Sequence, residues 1–121
     1  MTTATIDLAH KTCVPCTGKI LPLSADRIQE LASEIPEWGV SADGKSLSRK
    51  WRVKDFGEAL DFFERVGWLA EAENHHPDLH LTNYREVQME LSTHAIDAIS
   101  ENDFILAAKI DLLPVSLKEA H

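Results

Sequence analysis

No stretch of this chain reaches the roughly 18 apolar residues that a membrane-spanning helix needs, and no apolar run precedes a small-residue cleavage site at the N-terminus. A cytoplasmic protein that leaves membranes alone is the expectation. Cations are scarce: 12 Lys and Arg stand against 20 Asp and Glu, a formal charge of −8. A protein that grips a phosphate backbone needs the opposite balance, so nucleic acid is not an expected partner. Arg49, Lys50, Arg52 and Lys54 do cluster around Trp51, but that run reads as a solvated strand face. Cysteine is nearly missing. The only two, Cys13 and Cys16, form one Cys-Val-Pro-Cys, with no second pair to complete a zinc site. A redox pair usually follows a strand and opens a helix, whereas these thiols lie in a Pro- and Gly-bearing arm, residues 1–19. Repeats and low-complexity segments are absent. The 121 residues, 44% of them hydrophobic, allow one domain, residues 20–121, with one modest core.

What the chain does have is histidine in a particular place. Four of its six histidines fall between Glu71 and Asp103, and His75, His76 and His94 stand at element ends. Imidazole gives or takes a proton near neutral pH, so such a cluster points to acid–base chemistry.

The apolar spacing supplies the scaffold. Ser24 reads as the cap of a first helix whose stripe is Ile28, Leu31, Ala32 and Ile35, closed by Pro36. A short strand, Trp38 to Ala42, meets an Asp43-Gly44 turn, and Leu47, Arg49, Trp51 and Val53 alternate along its partner. Asp55 with Glu58 predicts a second helix. Phe56, Leu60, Phe63, Val66 and Ala70 line one side of it, Phe62 and Leu69 widen the stripe, and it should stop near Ala72 or Glu73. Leu79 and Leu81 then alternate, Asn83 and Tyr84 turn, and Val87, Met89 and Leu91 return. Ser100 with Asp103 forms a capping-box start for a third helix that runs to Pro114. The order α-β-β-α-β-β-α implies an α+β fold, a four-stranded antiparallel sheet with helices on one face.

If the second hairpin turns near residue 84, paired positions sum to about 168, which sets His76 opposite Ser92 and His75 opposite Thr93. His94 and the helix end bearing Glu71 arrive at the same sheet end. A three-histidine metal site from His75, His76 and His94 competes with this reading, but neighbouring residues of an extended segment point to opposite sides, so His75 and His76 would chelate poorly unless Pro77 bends them. His76 and His80 are about 13 Å apart in a strand, too far for one ion. No metal is expected. A helix cap alone would explain Asp103, and Glu71 reads equally well as a solvated helix residue.

Glu71-x3-His75-His76-Pro77, then Tyr84, then Thr93-His94, then Asp103 nine residues on, resembles the signature of the pterin-4a-carbinolamine dehydratases. Trp38 and Lys54-Asp55-Phe56 match landmarks upstream, so the resemblance spans about residues 20 to 113. It implies the same sheet-and-helix fold and a pterin substrate, 4a-hydroxytetrahydrobiopterin or a related 4a-hydroxytetrahydropterin. The product would be the quinonoid dihydropterin plus water, which serves recycling of the pterin used by aromatic amino acid hydroxylases, with no cofactor. By resemblance His75, His76 and His94 are the catalytic residues, and Glu71, Asn74, Ser92, Thr93, Asp103 and Trp38 bind or support. The working pair is His75 and His94 as acid and base, with His76 orienting the pterin and Glu71 setting a neighbouring histidine's protonation. A homodimer or homotetramer is implied. The alternative is a non-catalytic dimerisation or assembly partner on the same fold.

Two departures from the family pattern carry expectations. Ala98-Ile99 stands where Gly-Leu is common, so the turn after His94 should differ or carry strain if it needs a positive φ. Asp97 places a negative charge near His94, which would favour its protonated form.

Overall fold

A computed structural model describes residues 8–13 and 20–118 of the chain. Helix α1 (Ala25–Ala32) is capped by the Ser24 side chain, which accepts the Arg27 N–H. Strands β1 (Gly39–Val40) and β2 (Leu47–Arg52) form the first hairpin, α2 (Phe56–Glu73) crosses over, and β3 (Asp78–Thr82) and β4 (Glu86–Leu91) form the second. Helix α3 (Glu101–Asp111) closes the order α-β-β-α-β-β-α. All pairings are antiparallel in the order β1-β2-β4-β3, so the fold is α+β with a single four-stranded sheet.

The second hairpin has the expected register. Asp78 pairs with Glu90, His80 with Gln88 and Thr82 with Glu86, each pair summing to 168. Asn83 and Tyr84 at its tip both have positive φ, 48° and 54°. One face of the sheet is buried: Leu47 and Trp51 of β2 and Val87, Met89 and Leu91 of β4 join Ala59, Phe62 and Val66 of α2 and Phe104, Leu106 and Ile110 of α3. Alternate residues such as Lys50, Arg52 and His80 lie on the other, exposed face.

Three details differ from expectation. Helix α1 ends at Ala32, and Ile35 reaches the core from the following turn. The first strand shrinks from Trp38–Ala42 to two residues, because Ser41 turns its hydroxyl inward to accept the Lys45 and Ser46 N–H groups. On α2 the buried stripe is Ala59, Phe62, Val66 and Ala70, whereas Phe56 and Leu60 are exposed. The helix carries apolar residues on more than one side, and spacing alone does not choose between the two stripes.

Part of the arm also packs. Leu8 is buried, and the 3-10 turn Leu8–His10 lies against α3. Cys13 is buried among the core residues, while Cys16 lies outside the described residues.

Candidate active site

The C-terminus of α2 builds the first half of the site. Asp55 starts the helix by accepting the Glu58 N–H at 2.8 Å. Asn74 ends it in the left-handed region, φ 53°. Its N–H donates to the Glu71 carbonyl and the His75 N–H to the Ala70 carbonyl, the paired bonds of a Schellman motif. Asparagine tolerates this conformation better than most residues, so Asn74 acts through its backbone: it turns the chain sharply and anchors His75 to the helix end. Pro77 then leads into β3.

From that turn His75 and His76 diverge to different carboxylates. His75 Nε2 lies 2.6 Å from Asp103 Oδ1, and the two side chains are 5% and 0% exposed. His76 Nε2 lies 2.6 Å from Glu71 Oε2, with side chains 54% and 70% exposed. Since a carboxylate only accepts, each Nε2 carries the proton in these contacts.

Asp103 belongs to a larger buried cluster. Its Oδ2 accepts the Ser100 N–H at 2.9 Å and the Thr93 hydroxyl at 2.8 Å. Ser100 Oγ sits 2.6 Å from Thr93 Oγ1, and because the Thr93 proton is already committed to Asp103, Ser100 is the donor there. The carboxylate thus receives three donors, which compensates its removal from water. The carboxylate that caps α3 is the same group that holds His75.

His94 follows Thr93 directly. It opens a 3-10 turn, His94–Ile96, whose base is closed by the Thr93 N–H on the Ala98 carbonyl at 2.9 Å. The imidazole is exposed, and the turn is tied through Thr93 to the carboxylate that holds His75. The left-handed residue of this turn is Asp97, φ 49°, and not Ala98, so the strain expected from alanine does not arise. The Asp97 carboxylate pairs with Lys45 Nζ at 2.9 Å and raises the lysine's pKa above its ordinary value. Ser92, half-buried, continues β4 towards Thr93.

Trp38 stands apart from the histidines. It is buried against Trp51, ring centroids 5.7 Å apart, and its indole N–H donates to Asp111 Oδ1 at 2.8 Å. Arg49 donates to the same oxygen at 2.6 Å and stacks over Trp51. The structure therefore brings together His75, Asp103, Thr93 and Ser100, sets His76 with Glu71 one residue away, and puts Trp38 in a separate cluster near the end of α3. Among the described residues, no three His, Cys, Asp or Glu side chains converge as metal ligands. Sequence reasoning did not single out Ser100 for its hydroxyl; its place in the capping box was the available signal.

The chain is similar to known proteins over most of its length. The sequence profile described as pterin 4 alpha carbinolamine dehydratase matches residues 21–113. The chain is 48% identical over 112 residues to pterin-4-alpha-carbinolamine dehydratase 2, mitochondrial, of Arabidopsis thaliana, covering 90% of this chain and 60% of that protein. It thus spans somewhat under two thirds of the plant relative. A Halorhodospira halophila relative, whose provisional name is that of the same dehydratase, is 41% identical over 108 residues, 89% of this chain and 98% of its own. A Brucella melitensis crystal structure, of a protein called a transcriptional coactivator/pterin dehydratase, superposes with a TM-score of 0.71 at 25% identity, over 75% of this chain and 96% of that one.

Proposed function

Since the chain belongs to the pterin 4 alpha carbinolamine dehydratase family, we propose that it is a hydro-lyase that removes water from a 4a-hydroxytetrahydropterin by histidine acid–base catalysis. In the reaction the C4a–O bond breaks, an acid protonates the departing hydroxyl, a base takes the N5 proton, and the N5 electrons form the C4a=N5 bond. Proton donor and acceptor are both imidazole-range tasks, and each positioned group is typically worth about 10²–10⁴ in rate.

The observation that carries the reading is the contrast between the two histidine–carboxylate pairs. His76, exposed and held by Glu71, is available to substrate, as is His94 on its closed turn. His75 is locked on buried Asp103. This favours His76 and His94 as the acid–base pair, in place of His75 and His94, with His75 fixing the floor of the site. Continuing the register beyond Asp78 and Glu90 would bring His76 beside Ser92, two residues from His94. Asn74, Ser92 and Thr93 support the histidines in this reading; Trp38 contributes to it only through the fold.

The substrate is 4a-hydroxytetrahydrobiopterin or a close analogue, the role is pterin recycling, and the location is the cytoplasm, following the bacterial relatives. The chain acts as a homo-oligomer, which suits the exposed edge strand β3 and the exposed Phe56, Leu60 and Trp68 of α2. The coactivator wording on the Brucella protein favours, as a second reading, a dimerisation partner on the same fold. Turnover separates the two. Freshly generated 4a-hydroxytetrahydropterin should lose water faster with wild type than in buffer, and more slowly with His94→Ala or His76→Ala. Full activity in both variants would remove them from the mechanism, and no turnover with a co-purifying protein would favour the partner reading.

A further inference from the structure

Residues 8–13 precede the region matched by the family profile, residues 21–113, yet they are fastened to the two elements that create the buried histidine–carboxylate pair. Leu8 inserts into the core, and the turn after it lies along α3. Lys109 of α3 donates to the Ala9 carbonyl at 2.8 Å and lies 3.7 Å from Glu73 Oε2. Glu73, the last residue of α2, accepts the Cys13 N–H on its other oxygen at 2.9 Å. The Cys13 thiol points at the Asn102 carbonyl, 3.6 Å away. One ammonium and one carboxylate, 18% and 13% exposed, therefore hold the segment at both ends.

The points of attachment matter more than the area covered. Glu73 is two residues before His75, and Asn102 is one before Asp103. Through Cys13 the segment touches both the end of α2 and the start of α3. The spacing between those two ends is what the 2.6 Å contact of His75 with Asp103 depends on. Catalytic geometry tolerates little error: a misplacement of about 1 Å far from the chemistry can cost on the order of 10²-fold in rate.

We propose that Leu8–Cys13 is a positioning strap, latched by Glu73 and Lys109, that holds the α2 and α3 ends together and so sets the His75–Asp103 pair. The consequence for turnover rests on the dehydratase reading above; the consequence for the pair does not. Cys13 offers a built-in reporter. Burial, together with the Glu73 charge, pushes its thiol from 9.0 up to about 12. At pH 8 the thiolate fraction is then about 10³-fold below that of a free thiol, and alkylation slows to match.

The test uses the full chain with Cys16→Ser, so that alkylation reports Cys13 alone. Three quantities are followed: the iodoacetamide rate at pH 8, the low-field proton resonance of His75 Nε2, and kcat and KM on freshly generated 4a-hydroxytetrahydropterin. Lys109→Met should speed alkylation at least tenfold, broaden or remove the His75 resonance, and lower kcat about tenfold with KM nearly unchanged. Lys109→Arg should restore all three. Should Lys109→Met not fold, Leu8→Ala carries the test, because it removes the side chain that seats the segment in the core and leaves the charges beside Cys13 in place, giving smaller shifts in the same directions. Faster alkylation with an unaltered His75 resonance and kcat overturns the proposal, as does alkylation unaffected by either variant. If the parent turns over no pterin, the dehydratase reading fails while the His75 resonance still decides the strap.

Discussion

Two histidine–carboxylate contacts lie one residue apart in this chain, both at 2.6 Å, and they are physically unlike. His75 and Asp103 are shut away from water, and the carboxylate carries two further donors. His76 and Glu71 stand in solvent on the flank of α2. In the buried pair neither partner can turn to water if the other is removed, so the contact fixes geometry. In the exposed pair water and salt compete, the contact is weak, and the imidazole stays free to meet a ligand. Equal distances thus describe a buried anchor and a solvent-accessible imidazole. Burial tells them apart.

The comparison breaks most visibly at Asp103. Asp103→Ala strips the buried pair of its acceptor and also leaves the Ser100 N–H and the Thr93 hydroxyl without theirs. A loss of about 3–5 kcal/mol in denaturant unfolding is expected, with turnover falling alongside. Asp103→Asn, which can still accept the Ser100 N–H, should recover part of the stability. At Asn74, which feeds both pairs by turning the chain, Asn74→Ala should cost about 1–2 kcal/mol through its left-handed backbone, and Asn74→Gly should be tolerated. Trp38→Phe sharpens the boundary of the site: it removes one hydrogen bond to Asp111, worth about 1 kcal/mol, and turnover should track the folded fraction. Smallest is Glu71→Gln, which should change stability by no more than about 1 kcal/mol, an effect that fades as salt is added.

Much of the frame was legible because local chemistry dictated it. The turn residues Asn83 and Tyr84 gave the hairpin register, and the Asp55 cap gave the start of α2. Asp103 was legible only in part. Capping grammar reads the residues along one chain, so it could place the oxygen that meets Ser100 but not the one that meets His75, 28 residues away. The expected pair His75–His94 came from loop-end position, which marks both as reactive candidates, while the burial that separates His75 from His76 is a property of packing. On α2, Phe56 and Leu60 fit a helical stripe as well as Ala59 and Phe62 do, and tertiary packing made the choice. The arm gave no periodic signal at all, since Leu8 docks as a single side chain.

The exposed His76–Glu71 pair is proposed as the reactive one. The most direct test is the dehydration rate of freshly generated 4a-hydroxytetrahydropterin by His76→Ala, measured beside wild type at equal folded concentration. The expected result is a fall in kcat of about 10²–10⁴, with unfolding stability within about 0.5 kcal/mol of wild type. A rate equal to that of wild type would contradict the assignment and return the acid–base role to His75.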